Sequence, residues 1–438
     1  MTFDSATHLP GWFALLQPAG QDALAFAAKL SASGTSSVQV QQKMRAEIAD
    51  VSLVAAALGQ HDLRKKAAGK FGAELASKLL FTPTGLEQAT RGQVARHHAA
   101  RFASAGITEV ADLGCGIGAE SIALLRAGIS VVAWELDELT AAFAAHNLAL
   151  VASETNSARE KAGLPPVTAE VVCGDVSGFN AADFMAGSAG DSALFFDPAR
   201  RTLGNRNSQR VQPQDYSPHL DFVFALAEKY PAAIKLGPGF PREMLPENAD
   251  CEWVSCDRQA VETLVWTGAL REKIPAARKA TVFTGEQQHA LTADSDWPDP
   301  EVTSLGAYIY EPDPAVIRAR QIGQLAGLLG TGLLSENIAY LTGNTTNDSP
   351  FAQGFRVLEV LPLRDKAVRE ALQRLGAARV EIKKRGVDID PADFRKKLKL
   401  KPATKAASKS KTANTTGEIT VFLTRIAGDH SAIITQRI

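Results

Sequence analysis

Three alternate glycines behind a short apolar run set most of what this 438-residue chain can become. Residues 109 to 125 read EVADLGCGIGAESIALL. Val110, Ala111 and Leu113 make a short strand, Gly114, Gly116 and Gly118 turn the chain, and apolar residues at 122, 124 and 125 begin a helix. Strand, tight turn and helix form the first βα unit of a parallel, nucleotide-binding sheet. Glycine tolerates positive φ and lets a ligand approach the backbone, beside the unbonded N–H groups of a helix start. The turn is therefore expected to take a ligand with a negatively charged end.

Two ligand classes fit. Gly114-x-Gly116-x-x-Ala119 meets the looser dinucleotide fingerprint, and Glu135 stands 21 residues after Gly114, where a ribose-binding acid belongs. That pattern alone allows a NAD-dependent oxidoreductase. Asp112, an acid two residues before the first glycine, and two later acidic turns favour another ligand. DLGCGIG resembles motif I of the class I S-adenosylmethionine (SAM) dependent methyltransferases. The resemblance implies SAM as cofactor, its methionine end held by Asp112 and the loop of Gly114, Gly116 and Gly118.

The strands that follow extend the resemblance. SVVAWE ends in Glu135, placed to accept from both ribose hydroxyls, because a carboxylate offers several lone pairs to neighbouring O–H donors. A helix is expected from Asp137 to about Ala149, and the polar stretch 152–168 is expected to loop out. AEVVC runs into Gly174-Asp175-Val176, which resembles the turn whose acid accepts from the adenine amino group. Asp112, Glu135 and Asp175 are thus expected to project together at the carboxyl edge of one parallel sheet. ALFF leads into Asp197-Pro198-Ala199-Arg200-Arg201. This resembles the (Asn/Asp/Ser)-Pro-Pro-aromatic motif of enzymes that methylate exocyclic nitrogens, with Ala199 in place of the second proline and Arg200 in place of the aromatic. By that resemblance Asp197, Pro198 and Arg200 form the reacting turn, an arginine plane being able to stack or to bind phosphate. The plain alternative is that Asp197 caps a helix and Arg200 pairs with it. AAIKL supplies a fifth strand, and 252–255 with 261–266 a closing antiparallel pair, for seven strands in all.

Ahead of the sheet, residues 1–80 carry apolar residues at helical spacing and no alternating run, a helical N-terminal domain. Arg64, Lys65, Lys66 and Lys70 could touch nucleic acid, but a solvated helix face is the reading preferred, and no site is assigned there. The segment 81–102, FTPTGLEQATRGQVARHHAARF, resembles the part of trimethylguanosine synthase type RNA methyltransferases that folds over the SAM pocket. That likeness places Gln88 and Thr90 at the cofactor's carboxylate and leaves His97 and His98 on the helix surface. Four cysteines without a CxxC pair argue against structural zinc or a disulfide framework, and no metal is called for. The longest apolar runs fall well short of the ~20 residues that span a bilayer, so a cytosolic protein with no membrane partner is expected.

Charge is segregated. Residues 351–438 hold 19 Lys and Arg against 9 Asp and Glu, and the remainder 28 against 39, so a module of charge +10 follows a body of −11. A basic module on an acidic body suggests a polyanion. Short strands around one helix from 276 to 350 suggest a small α+β module, ferredoxin-like, and 354–438 a basic α+β domain. Lys383, Lys384 and Arg385 end one strand, and Arg395, Lys396, Lys397 and Lys399 follow within one helix. They would form a single positive face if strand and helix pack together. VLEVLP, EIKKRGVDIDP and FRKKL, with DPARR and YIYEPDPAVIRA, resemble a bacterial SAM methyltransferase family with a C-terminal THUMP-like domain.

The expected fold is α/β. A Rossmann-like seven-stranded methyltransferase sheet occupies 81–275, between the helical domain at 1–80 and the two C-terminal α+β modules. The expected function is SAM-dependent methyl transfer to a nitrogen of an RNA base. The alternatives are a methyltransferase acting on protein or a small molecule, and a SAM-sensing RNA-binding protein without turnover.

Overall fold

A computed structural model describes residues 11–188, 191–200, 215–272, 278–377, 379–400 and 419–438, and of Arg200 the backbone alone. The described chain divides into two units, 1–236 with 240–249 and 264–272, and 237–239 with 250–263 and 273–438.

The first unit opens with α1 (Pro18–Ala32), α2 (Ser37–Glu47) and α3 (Val51–Phe71). Their starts are written locally. Ser36 and Gln39 form a reciprocal capping box on α2, and Asp50 accepts from Ser52 N and Leu53 N at 2.8 and 3.0 Å on α3. Leu24, Met44 and Val54 pack in one buried cluster with Trp12 and Phe143. Next come α4 (Pro83–Gln88), α5 (Gly92–Ser104) and the parallel strands β1 (Glu109–Leu113), β2 (Ser130–Glu135), β3 (Ala169–Cys173), β4 (Ser192–Phe196) and β5 (Ala232–Leu236). Connections run through α6 (Ala119–Arg126), α7 (Glu138–Lys161), α8 (Ala181–Gly187) and α9 (Leu220–Lys229). The strand order is β3-β2-β1-β4-β5, with 264–266 beside β5. Leu113 at the end of β1 lies opposite Trp134 of β2 on one side and Phe196 of β4 on the other. The chain leaves β1 in one direction and returns at β4 in the other. Such a switch point opens a crevice at the carboxyl ends of the strands.

One expectation failed here. The helix after β2 continues to Lys161, through the first ten residues of the stretch 152–168 read as a loop, and only 162–168 loops out. Asn156 in that extension bonds Val167 from both ends of its amide, at 2.8 and 2.9 Å. Its polar residues hold the return to β3 and are not loop residues.

The second unit holds β6 (Asp250–Cys256) and the first five residues of β7 (Gln259–Trp266), the two strands being joined by Asp257 and Arg258 at φ 47° and 65°. Two left-handed residues match the twist of a two-residue hairpin. This is the expected closing pair. β8 (Arg278–Thr284) then runs parallel to β6, and β9 (Gln287–Ala293) antiparallel to β8. A second sheet follows, of β10 (Tyr308–Pro312), β11 (Gly332–Ser335), β12 (Ile338–Gly343), β13 (Ala352–Pro362), β14 (Val380–Lys384), β15 (Ile419–Ile426) and β16 (Asp429–Arg437), in the order β11-β12-β10-β13-β16-β15-β14. The boundary drawn between 350 and 354 runs through this sheet. Helices α10 (Pro314–Arg318) and α11 (Ile322–Leu329) follow β10, while α12 (Asp365–Arg374) and α13 (Pro391–Leu398) flank β14. Val368, Leu372, Phe394 and Leu398 of the last two pack on Val380, Ile382 and Val421.

Candidate active site

The turn after β1 takes its shape from its glycines. Gly114, Gly116 and Gly118 sit at φ 102°, 56° and 87°, and the N–H groups of Gly114 and Cys115 both donate to Trp134 O, at 3.0 and 2.9 Å. A Cβ on Gly114 would lie 3.2 Å from Asp197 O, so the turn after β4 abuts this loop. A Cβ on Gly116 would meet nothing within 4 Å. Backbone bounded by open space is what a bound cofactor requires here.

The three strand-end acids meet three different environments. Glu135, at the mouth, accepts from Gly116 N through Oε2 at 3.0 Å and from Asp137 N through Oε1 at 2.9 Å. Burial raises its pKa, and those two N–H groups oppose the rise. Asp112 does not project at the edge. Strand alternation turns it beneath α6, fully buried, where Oδ2 accepts from Ser121 Oγ at 2.5 Å and Oδ1 has no hydrogen-bond partner among the described residues. Burial pushes its pKa up to about 7, against the Ser121 bond and with help from the charges of Glu120 and Asp197. Asp175 is exposed and accepts from Ser177 N at 2.8 Å, starting a single helical turn.

The segment ahead of α5 is held from below by side chains. Gln60 of α3 bonds both backbone groups of Phe81, at 2.9 and 3.0 Å. Asn147 of α7 does the same for Leu80, at 2.8 and 2.9 Å, and donates to Ile117 O in the glycine loop at 3.1 Å. Two buried amides thus stand in for a neighbouring strand. Arg64 donates to Leu79 O at 2.9 Å, and Lys70 to the carbonyls of Leu86, Glu87 and Ala89 at 2.7–2.8 Å, where α4 ends. Arg64 and Lys70 are therefore turned inward, while Lys65 and Lys66 are exposed. Over the loop, a Cβ on Gly85 would come within 2.6 Å of Ile117 Cγ2, so only glycine lets α4 lie this close. Gln88 is exposed at the end of α4.

The turn after β4 does not enter a helix. Pro198 is buried, and the backbone of Ala199 and Arg200 pairs with Ser217 and Tyr216 in a short antiparallel ribbon, which removes the capping alternative. The side chain of Arg200 and all of Arg201 lie outside the described residues. Asp197 Oδ2 lies 2.5 Å from Lys235 Nζ, and the same ammonium donates to Thr90 Oγ1 at 3.0 Å. Behind Thr90, His98 Nδ1 lies 3.0 Å from Glu120 Oε2, and the His98 ring sits 6.0 Å from the rings of Phe195 and Trp266. His98, read as a surface residue, is 1% exposed. Glu120 is held below the usual carboxylate range: burial would raise it, but the charge and hydrogen bond of His98, the charge of Lys235 and the Thr90 hydroxyl outweigh that. Sequence reasoning missed Lys235, Glu120 and Ser121. The signal for Lys235 was a lysine inside AAIKL, an otherwise apolar strand of the kind that parallel sheets bury.

In the second unit, β14 divides the basic residues. Its inward residues Val380 and Ile382 face α12 and α13, so Lys383 and Arg385 lie on the opposite side of the sheet. Lys383 reaches Glu311 at 2.7 Å and Glu381 at 3.0 Å, and Arg385 lies 3.8 Å from Glu311 over the Tyr340 ring. Strand and helix do pack, but the expected single face is split between two. Lys384, Arg395, Lys396 and Lys397 are exposed, with Lys396 2.9 Å from Asp393. Arg379, Arg395, Lys396 and Lys399 line a cleft of about 770 Å³ together with Glu381. Among the described residues no helix is long and apolar enough to cross a membrane, and no group of three His, Cys, Asp or Glu is disposed to hold a metal ion.

Residues 352–437 match the model of a THUMP domain-like family, and residues 9–67 that of a domain of unknown function. Proteins from two strains of Mycobacterium tuberculosis, CDC 1551 and H37Rv, are named uncharacterised S-adenosylmethionine-dependent methyltransferases. Each is 32% identical over 347 residues, covering 77% of this chain and 87% of theirs. A crystal structure from Porphyromonas gingivalis W83, described as a methyltransferase, superposes with a TM-score of 0.69 at 19% identity, over 95% of this chain and 98% of that one. It shares the fold.

Proposed function

The chain belongs to the family of S-adenosylmethionine-dependent methyltransferases, and from that premise we propose that it methylates a nitrogen of an RNA base. The observation that carries this reading is the Asp197-Pro198 turn, whose backbone carbonyl abuts Gly114 of the glycine loop and whose carboxylate is held in place at the end of β4.

The residues around the loop fit the cofactor. Gly116 leaves open space at the backbone, while Gly114 and Gly118 let the loop pack closely on Asp197 and Leu148, and buried Asp112 keeps one oxygen unbonded among the described residues. Glu135 would meet the ribose hydroxyls and Asp175 the adenine amino group, and Gln88 and Thr90 lie on the segment that would cover the methionine end. When bound, SAM supplies a methyl group made electrophilic by its sulfonium. The chain's own part is mostly positioning, because transfer needs an in-line nucleophile at close approach. Asp197 accepts a hydrogen bond from the attacking amine and steadies the positive charge that develops on nitrogen; the proton need not leave before transfer.

Three features support RNA as the acceptor. They are the THUMP-like match at 352–437, the charge of +10 on 351–438, and the cleft lined by Arg379, Arg395, Lys396 and Lys399. Mass analysis of nucleosides provides the test. RNA from a deletion strain should lack one methylated base, which returns with the wild-type gene and not with Asp197→Ala. Unchanged RNA, with methyl label entering protein or small molecules, would overturn the RNA reading and keep the transfer.

A further inference from the structure

Lys235 is the one charge in β5, and its side chain is 14% exposed. A lysine in such a place loses hydration that only good partners restore. Two of its partners come from other parts of the chain: Asp197 after β4, at 2.5 Å, and Thr90 between α4 and α5, at 3.0 Å. Thr90 closes the segment that Gln60, Asn147 and Lys70 pin against the glycine loop. One ammonium therefore joins the turn that presents the acceptor to the segment that covers the cofactor. A group making no contact with either substrate can still fix their relative position.

We propose that Lys235 is a positioning residue of the transfer step, which holds the Asp197 carboxylate in register with the 82–91 segment. The proposal rests on the reading of Asp197 as the group that receives the acceptor. A bridge that only supported the fold would act on stability and SAM affinity together. A positioning residue acts on turnover, because misplacing a reacting group by about an ångström costs roughly a hundredfold in rate.

Lys235→Met, Lys235→Arg and Thr90→Val separate these roles through three measurements. The first is transfer of tritiated methyl from SAM into the RNA, protein and small-molecule fractions of a deletion-strain extract. The second is SAM affinity by calorimetry, and the third is hydrogen exchange of peptides covering 82–91 and 195–200. Lys235→Met should lower the turnover rate by about a hundredfold with SAM affinity within about twofold, and speed exchange in both peptides. Lys235→Arg should regain at least tenfold of the rate and the slow exchange, because it restores a cation of similar reach. Thr90→Val, which removes one anchor, should cost about three- to tenfold. Undiminished turnover in Lys235→Met overturns the proposal, as does parallel loss of turnover, SAM affinity and melting temperature. If Lys235→Met does not fold, full turnover in Thr90→Val with unchanged exchange overturns it. Wild type labelling no fraction, or Asp197→Ala transferring as well as wild type, brings down the underlying reading and this proposal with it. Failure of Lys235→Met alone leaves that reading standing.

Discussion

The polar side chains around the glycine turn and those of the basic module are held by different things. Near the turn, Gln60, Asn147, Lys70 and Glu135 bond backbone groups, and Asp112, Glu120 and His98 are buried. In the basic module Lys384, Arg395 and Lys397 face solvent, and Lys383 and Arg385 lie beside Glu311. Buried bonds of the first kind fix geometry, since an unmade one costs its full desolvation. Exposed charges of the second kind fix little, and suit attraction of a polyanion whose shape is not copied in advance.

The comparison breaks first at Asp197. Asp197→Ala should lower methyl transfer by at least about a hundredfold while SAM affinity stays near normal, the pattern of a group acting on the acceptor or the transition state. Joint loss of affinity and folding would make the residue structural. Next comes Asn147→Ala, which removes the side-chain partner of three buried backbone groups and should cost at least roughly 3 kcal/mol in chemical denaturation, at about 1–3 kcal/mol for each group. A cost below about 0.5 kcal/mol would show that the segment holds without its amide. Glu135→Ala should weaken SAM binding by about 1.5–3 kcal/mol for each hydrogen bond lost to a charged acceptor. Unchanged calorimetric affinity in a folded variant would remove the ribose assignment.

Titration gives a smaller effect. Asp112 is raised from 3.8 to about 7, so between these values the folded protein holds a proton that the unfolded chain has released. Stability from this group is therefore greatest below the unfolded value and falls as pH rises through about 7. Asp112→Asn should show a flatter melting temperature from pH 4 to 7 than wild type. Equal slopes would place the ionisation elsewhere. The smallest single effects belong to the basic module. Reversing Lys396 and Lys397 to Glu should lower RNA affinity and its salt slope modestly and leave SAM affinity alone. The triple reversal of Lys383, Lys384 and Arg385 should do less than their count suggests, because Glu311 already lies beside two of them. RNA binding insensitive to salt and to both reversals would move the acceptor to protein or a small molecule.

The same contrast explains what was legible in the sequence. Strands β1, β4 and β5 announce themselves because both faces are buried and apolar runs end in turns, β2 and β3 because their short runs end in acidic turns, and the glycine turn carries its own φ requirement. The bonds made across the fold carry no local mark. His98 looked exposed because nothing near it in sequence shows Glu120 facing it, and Arg64 with Lys70 looked solvated because their partners are carbonyls 14–19 residues away. The split of the basic group depends on strand alternation at Lys383 and on where Glu311 falls, a residue on another strand of the sheet. Periodicity reports which way a side chain faces, and tertiary pairing decides what it meets.

The two amides that hold Leu80 and Phe81 bear on how this protein can be cut and inherited. A chain begun at residue 81 would keep β1 to β5, yet it would lose Gln60, Arg64 and Lys70 together with Leu80, the residue that Asn147 grips, so these anchors of the segment over the glycine loop would all go. The N-terminal helices are therefore not a detachable accessory. Lineages that shed or replace them would have to rebuild the floor of the segment over the glycine turn, so the helical region and that turn should travel together as one evolutionary unit.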